Sequence, residues 1–272
     1  MLNRNVYRII FNINHNDMGQ INQKTILSAA GRILLAVLFT ILAVHYFVMP
    51  DKIDAVIAHD IVMPYYMVII IGLIWFLIAA SFFMNKAIRL SGSVLILMII
   101  VILALSTSRG FESKDTFVPT LLAFGFYISF IGGALMVMSD YMELRLPMHE
   151  DVSDTMFIVG RILTGLFFAT AGFLHMINIK YDAAMLGGMP HAEFWVVFVG
   201  VCWFATALSF WSNLMTRTSG LLASLMILII TFMINIHAFG NGNDVTAIVQ
   251  LAKNGGLIGA CLLVASRGKY WF

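Results

Sequence analysis

The strongest constraint on the fold is a series of long apolar segments with short polar connections. The eight segments lie at roughly 26–49, 64–84, 88–106, 118–138, 156–177, 192–212, 218–239 and 251–266. A membrane-spanning helix needs about 20 apolar residues, because its backbone groups must bond within the segment. Only 11% of the chain is charged, against about 25% in soluble domains. The sequence therefore predicts an all-α integral membrane protein with eight transmembrane helices, the last of them short.

The positions of lysine and arginine predict the orientation. Eleven of the 16 such residues fall at one end of the predicted bundle: Arg4, Arg8, Lys24, Arg32, Lys86, Arg89, Arg145, Arg161, Arg217, Arg267 and Lys269. The other end has Lys52, Arg109, Lys114, Lys180 and Lys253. Because cytoplasmic ends carry an excess of positive residues, we expect both termini in the cytoplasm and the chain in the inner membrane. The net charge is only +2 and no basic run occurs, so a nucleic-acid partner is not indicated.

The chain contains two similar halves. GRILLAVLFTILAVHYFV at 31–48 resembles GRILTGLFFATAGFLHMI at 160–177. Further on, GLIWFLIAASFF at 72–83 matches GVCWFATALSFW at 200–211. RLSG and RTSG follow at 89–92 and 217–220, and the Gly-Gly pairs at 132–133 and 255–256 are a fourth match. Matches in the same order over this length indicate an internal duplication.

The duplication predicts the domain organisation. A cytoplasmic segment at 1–25 precedes a first four-helix unit at 26–138, a cytoplasmic linker at 139–155 and a second four-helix unit at 156–272. Each unit has an even number of helices, so both enter the membrane from the same side. We therefore expect a tandem parallel duplication of a four-helix bundle, with an axis along the membrane normal.

Each half resembles the DoxX/DoxD-like integral membrane family. The resemblance rests on Gly31-Arg32 and Gly160-Arg161, and on Phe168 and Gly172 near the end of the same helix. It also rests on the Arg-x-x-Gly turns at Arg89 and Arg217, and on the last helix, KNGGLIGACLLVASRG at 253–268. Many members have a lysine where this chain has Tyr46 and His175, and a glutamate near the positions of Trp75 and Trp203.

The resemblance implies a fold of two fused four-helix units and a role beside redox enzymes. Members of the family are similar to small subunits of quinone-linked sulfur oxidoreductases or to membrane partners of redox-defence enzymes. The resemblance therefore implies an oxidoreductase subunit, whether or not it is itself catalytic, with membrane lipid and a protein subunit as partners. It leaves the cofactor open, with quinone and haem as the candidates.

Five histidines are predicted at the end of the bundle opposite the termini, and they are candidate ligands. They are His45, His59, His175, His191 and His237. The repeat matches His45 with His175 and His59 with His191, while the counterpart of His237 is Arg109. Histidine ligates metal or haem and transfers protons near neutral pH. His45, His175 and His237 are the metal candidates, and polar aromatic residues at a membrane boundary are the alternative interpretation.

Acidic residues at the same end are candidate partners for these histidines. They are Asp51, Asp54, Asp60, Glu112, Asp115, Asp182, Glu193 and Asp244. A carboxylate commonly orients a ligating histidine through its second ring nitrogen. The alternative is that these carboxylates are solvated charges in the connections.

Arg32 and Arg161 are a matched pair of charges about two turns inside apolar segments. A charge at membrane depth suggests a functional site. One interpretation is that the long side chains extend to the headgroups. The other is that they hold an anionic ligand or a lipid phosphate with both arms of the guanidinium.

Trp75 and Trp203, with Phe76 and Phe204 beside them, are a second matched pair. They are candidates for lining a flat quinone pocket. Helix packing is the alternative.

Three functions are compatible with the sequence. The first is a membrane subunit that anchors or assists a quinone-linked oxidoreductase or another multi-subunit complex. The second is a self-contained redox protein with haem, metal or quinone at the histidines. The third is a small-anion or lipid transporter that uses Arg32 and Arg161.

Overall fold

The structure, a computed structural model, describes residues 15–48, 65–110, 114–145, 150–185, 189–240 and 244–269. This part of the chain is all-helical. Its helices are α1 His15–Val48, α2 Tyr65–Met84, α3 Ile88–Gly110, α4 Lys114–Arg145, α5 Glu150–Ile177, α6 Ile179–Met185, α7 Ala192–Ser212, α8 Thr216–Gly240 and α9 Asp244–Ser266. We call the end of the bundle where α1 and α5 begin the near end. The opposite end is the far end.

Seven described helices are long and apolar enough to cross a membrane, as a multi-pass membrane protein requires. Their spans are Gln23–Val48, Tyr65–Met84, Phe117–Glu143, Asp151–Ile177, Ala192–Ser212, Thr216–Met233 and Ala247–Ser266. The last is 20 residues long, so the segment predicted to be short is extended at its start. The described apolar part of α3, Ile88–Ala104, is shorter. Of the eight predicted spans, the third, at 88–106, therefore lacks the support that the other seven have.

The connection predicted at 139–155 is much shorter in the structure. Helix α4 continues to Arg145, and α5 begins at Glu150. The residues at 139–145 and 150–155 therefore lie in two helices that continue beyond their apolar parts. This extension brings charged side chains of α4 and α5 close together at the near end.

Four helices, α1, α4, α5 and α9, form the centre of the bundle and meet at glycines. A Cβ atom on Gly31 would lie 2.6 Å from the carbonyl oxygen of Gly259. A Cβ atom on Gly160 would lie 2.6 Å from the carbonyl oxygen of Gly132. Any side chain at these positions would separate the helices, so glycine permits the close backbone contact on which membrane helix packing depends.

These glycine contacts correct one detail of the sequence comparison. Gly132 of α4 contacts the first helix of the second half, and Gly259 of α9 contacts the first helix of the first half. The structural counterpart of Gly132 is therefore Gly259, not Gly255. In this register IGGALMVMSD at 131–140 matches IGACLLVASR at 258–267. The match of the two Gly-Gly pairs was therefore shifted by four residues, from Gly259 to Gly255, relative to the register of the glycine contacts.

The α2–α3 and α7–α8 turns have the same geometry at matched positions. Asn85 and Asn213 both adopt left-handed backbone angles, with φ of 52° and 58°. The Ser81 hydroxyl donates to the carbonyl of Lys86 and lies 2.7 Å from the Ser91 hydroxyl. The same two contacts recur in the second turn, from Ser209 to the Leu214 carbonyl and to the Ser219 hydroxyl. Asparagine suits these turns because it tolerates the left-handed region.

Large apolar side chains cover the outer faces of the helices. Examples are Leu97, Leu208, Leu222 and Phe232, which are 64%, 62%, 61% and 69% exposed. A bundle in lipid has no need to hide such residues, because lipid tails are as apolar as leucine. The outer surface thus agrees with the spans in indicating a membrane environment.

Candidate functional site

The predicted histidine cluster is only partly within the described structure. His59 lies outside the described residues, as do the side chains of His237 and Arg109. His45 is half-buried near the end of α1, and His191 is exposed just before α7. The convergence of these five side chains therefore stays a prediction.

His175 has a direct carboxylate partner. Its Nδ1 atom lies 2.7 Å from Oδ2 of Asp182 in α6. Only Asn178 separates α5 from α6, so the pair fixes the short helix against the end of α5. A carboxylate on one ring nitrogen is also how ligating histidines are oriented. Within the described residues, however, no three His, Cys, Asp or Glu side chains are grouped to hold a metal ion.

Trp75 and Trp203 lie in the protein core. Trp75 stacks on Phe39 with ring centroids 5.2 Å apart, and Trp203 lies 5.2 Å from Phe168. Both tryptophans are at most 5% exposed. Phe39 and Phe168 each make a second, edge-on contact, to Phe82 and Phe210. These rings therefore pack against phenylalanine, as the packing interpretation of the sequence expects.

Arg32 binds the end of a neighbouring helix. Its Nη1 donates to the carbonyl of Phe82 and lies 3.4 Å from the carbonyl of Phe83. The last carbonyls of a helix have no partner within the helix and carry partial negative charge. Arg32 thus satisfies the end of α2, and this contact uses its charge within the protein.

Arg161 is buried and has no such contact. Its side chain and backbone together are only 6% exposed. Its Nε atom is buried without a hydrogen-bond partner, and no described residue pairs with the guanidinium. On the neighbouring helix α7, the Trp211 indole nitrogen donates to the carbonyl of Ile162, the residue that follows Arg161, at 3.1 Å. The two matched arginines therefore differ in their hydrogen-bond partners.

A charged network closes the near end, and sequence analysis missed it. Arg267 Nε lies 2.8 Å from Asp140 Oδ1, with both side chains about one-tenth exposed. Arg267 also pairs with Glu143 and Asp154 and lies over the Phe157 ring. The Ser28 hydroxyl donates to the second oxygen of Asp140, and Lys24 Nζ lies 2.6 Å from Glu143. This network links all four central helices.

A second polar group missed by sequence analysis lies inside α8 and α9. The amide of Gln250 donates to Asn254 Oδ1 at 3.3 Å, and the Asn254 amide donates to the Thr231 hydroxyl at 2.8 Å. Lys253 lies within the same turn of α9 and inside the span Ala247–Ser266. The positions of lysine and arginine in the sequence predict Lys253 at the far end, because the last apolar segment is predicted to begin at 251.

Comparison with protein-family models, with curated proteins and with solved structures finds no match. The class of the protein therefore follows from its own structure. The described residues are helical, and seven of their helices are suited to spanning a membrane. Within this part of the chain, Arg161 and Lys253 make no hydrogen bond or ion pair to another residue.

Proposed function

We propose that this protein is a multi-pass membrane protein that binds an oxyanion at Arg161. The oxyanion is either a small solute or a lipid headgroup. The observation that carries the proposal is the guanidinium of Arg161, whose Nε atom is buried without a hydrogen-bond partner and which no described residue neutralises. A charge inside a membrane is costly unless it is paired. An anion supplied from outside the chain would provide that pairing.

The chemistry of arginine decides the ligand class. The guanidinium is planar, always charged and matched to two oxygens of a carboxylate, sulfate or phosphate. Such charge-assisted bonds strengthen in a site of low dielectric. The Nε atom of Arg161 is buried and has no hydrogen-bond partner, so extension of the side chain toward the headgroups would leave this donor unsatisfied. Arg32, the arginine at the matched position of the first half, differs from Arg161 because it donates to a protein carbonyl.

The test is oxyanion binding to the full-length protein purified in detergent. Added sulfate and added phosphatidylglycerol are the two probes, and they separate a free solute from a lipid headgroup. We expect at least one probe to raise the midpoint of thermal unfolding. We expect Arg161→Ala to remove the part of the shift that depends on this site and Arg161→Lys to restore little of it. Loss of a charged hydrogen-bonding group costs about 1.5–3 kcal/mol, or roughly ten- to a hundredfold in Kd.

Arg89→Ala is the matched control, because Arg89 is an exposed arginine at the near end. It should leave the response unchanged. If neither probe shifts the wild-type protein, or if Arg161→Ala responds like wild type, the proposal is overturned.

We also propose that the chain arose by tandem duplication of a four-helix unit. Support comes from the matched glycine contacts, the two turns with left-handed asparagine, and the paired aromatic groups around Phe39 and Phe168. The positive residues at the near end support placing that end in the cytoplasm, with the protein in the inner membrane. Labelling of single cysteines introduced at Lys86 and Lys180 from either side of intact cells tests the orientation.

A role as a subunit of a quinone-linked oxidoreductase is a second proposal. It rests on the family resemblance and on the short turns at 85–87 and 213–215, which leave no room for an extramembrane domain there. Native mass spectrometry of the protein extracted from its own membrane tests it. A second polypeptide in fixed ratio would support this role. A chain that is always found alone would contradict it.

A further inference from the structure

Lys253 is a charged residue well inside the membrane span. It lies six residues after Ala247, the start of the span, which is about 9 Å along a helix at 1.5 Å per residue. Gly256, three residues further on and on the same side of α9, lies against Leu38 of α1 and Phe130 of α4. The neighbouring Ala252 and Leu257 are 3% and 1% exposed. Lys253 therefore belongs to a side of α9 that packs into the bundle.

No carboxylate lies near Lys253 among the described side chains. The buried acid of the central helices, Asp140, is at the near end and is paired with Arg267. At the far end, Asp182 is paired with His175. No hydrogen bond or ion pair to a described residue accounts for the ammonium group of Lys253. The chain thus places a basic group at membrane depth without a described counter-charge.

The residues beside Lys253 are hydrogen-bonding groups and carry no negative charge. Gln250 and Asn254 lie within one helical turn of it, and their bonds continue to Thr231 of α8. Each amide nitrogen has a second hydrogen that its bond to the next residue does not use. The positive charge of Lys253 favours an anion, and the remaining amide hydrogens can donate to its oxygens.

We propose that Lys253, Gln250 and Asn254 form a second oxyanion site, in the half of the membrane nearer the far end. Lys253 supplies the charge, and the two amides supply hydrogen bonds to the oxygens of a carboxylate or phosphate group. The Asn254–Thr231 bond holds one amide in place from the neighbouring helix. This site is distinct from Arg161. Gly160 meets Gly132, and Gly133 meets Ala260, so Arg161 lies near the level of residues 259–260, well toward the near end from Lys253.

The experiment uses the full-length protein in nanodiscs of zwitterionic phosphatidylcholine. Inorganic phosphate tests a soluble anion, and phosphatidic acid included in the disc tests a lipid headgroup. Lys253→Met removes the charge and keeps a long unbranched side chain, so it should fold at least as stably as wild type. We expect it to lose the ligand-induced rise in unfolding temperature that depends on this site, with Kd raised at least roughly tenfold. Lys253→Arg should retain part of the response.

Two further variants make the result specific. Lys86→Met removes an exposed lysine at the near end and should behave like wild type. Arg161→Ala should retain the response that depends on Lys253, so failure of the Arg161 site and failure of this one are distinguishable. The proposal is overturned if the wild-type protein responds to neither probe beyond the contribution of Arg161, or if Lys253→Met responds as wild type does.

Discussion

Asp140 and Arg267 occupy matched positions in the two halves of the chain and bind each other, with 2.8 Å between Oδ1 and Nε. In both halves the residue follows the pattern Ile-Gly-x-x-Leu-x-Val-x-Ser, at 131–139 and 258–266. Two identical charges there would repel, whereas opposite charges join α4 to α9.

Removing one member of this pair should strongly destabilise the protein. Both side chains are about one-tenth exposed. Asp140→Asn leaves Arg267 with only its more exposed partners Glu143 and Asp154, and Arg267→Gln leaves the Asp140 carboxylate with only the Ser28 hydroxyl. We therefore expect the larger loss, toward about 3–5 kcal/mol, for Arg267→Gln. Unfolding of the purified protein measures the loss, and the double variant should recover part of it. The Lys24–Glu143 pair, with both side chains 40% exposed, is the control. Lys24→Ala should cost less than about 1 kcal/mol. Equal losses for the two pairs would contradict this account.

The glycine contacts predict a sharp positional difference within α9. A Cβ atom on Gly259 would lie 2.7 Å from the carbonyl oxygen of Gly31, so Gly259→Ala must push α9 away from α1. A Cβ atom on Gly255 would have no atom within 4 Å. We expect Gly259→Ala to lower the unfolding temperature clearly and Gly255→Ala to leave it unchanged or raise it. We call the Gly31–Gly259 and Gly132–Gly160 contacts the glycine seam. Equal behaviour of the two variants in a thermal unfolding assay would contradict the part of this seam that joins α1 to α9.

The two aromatic groups should contribute alike to stability. Phe39 and Phe168 are fully buried, and each contacts a tryptophan and a phenylalanine of the neighbouring helix, α2 or α7. Replacing either with alanine opens a cavity at a cost of about 3–5 kcal/mol. Phe76→Ala is the matched control, because that ring is 48% exposed. A small effect of Phe168→Ala beside a large effect of Phe39→Ala would show that the two groups are not equivalent.

The His175–Asp182 pair should govern the order of α6. Helix α6 has only seven residues, too few to be stable alone in water. Asp182→Asn removes the charge that holds it to His175. Hydrogen–deuterium exchange of residues 179–185 should then rise, while exchange in the centre of α5 stays constant. Unchanged exchange in α6 would mean that other contacts hold it.

Much of the fold was predictable because membrane helices are marked by composition. The apolar lengths located the seven described spans, mostly to within a few residues, whereas the described apolar part of the segment predicted at 88–106 is shorter. The Gly-Arg-Ile-Leu repeat identified the two helices that carry matched arginines. The ends of α4 and α5 were not predictable in this way, because Glu143, Asp151 and Asp154 are polar residues in helices that continue beyond the apolar core. Polarity alone does not separate such a helix end from a loop.

The candidate sites depended on tertiary contacts. Arg32 and Arg161 have the same local sequence, yet only Arg32 meets helix-end carbonyls. Nothing within either helix distinguishes them. The Asp140–Arg267 pair could have been anticipated from the matched Ser-Asp and Ser-Arg pairs at 139–140 and 266–267, once the fourth helices were aligned in the register that the glycine contacts define. Lys253 was predicted at the far boundary because it and the polar residues Gln250 and Asn254 lie near 251, where the last apolar segment was predicted to begin. Helix α9 in fact begins at Asp244.

The glycine seam crosses between the halves: Gly132 of the first half meets Gly160 of the second, and Gly259 of the second meets Gly31 of the first. Neither half completes either contact alone. A gene divided between α4 and α5 would therefore yield two fragments, each with one side of both seams. Such fragments should associate when they are synthesised together in one membrane. A reporter protein split between them would give a signal only when they associate. Two copies of a single half could meet along the same surfaces, as a dimer in which one chain stands in for the other.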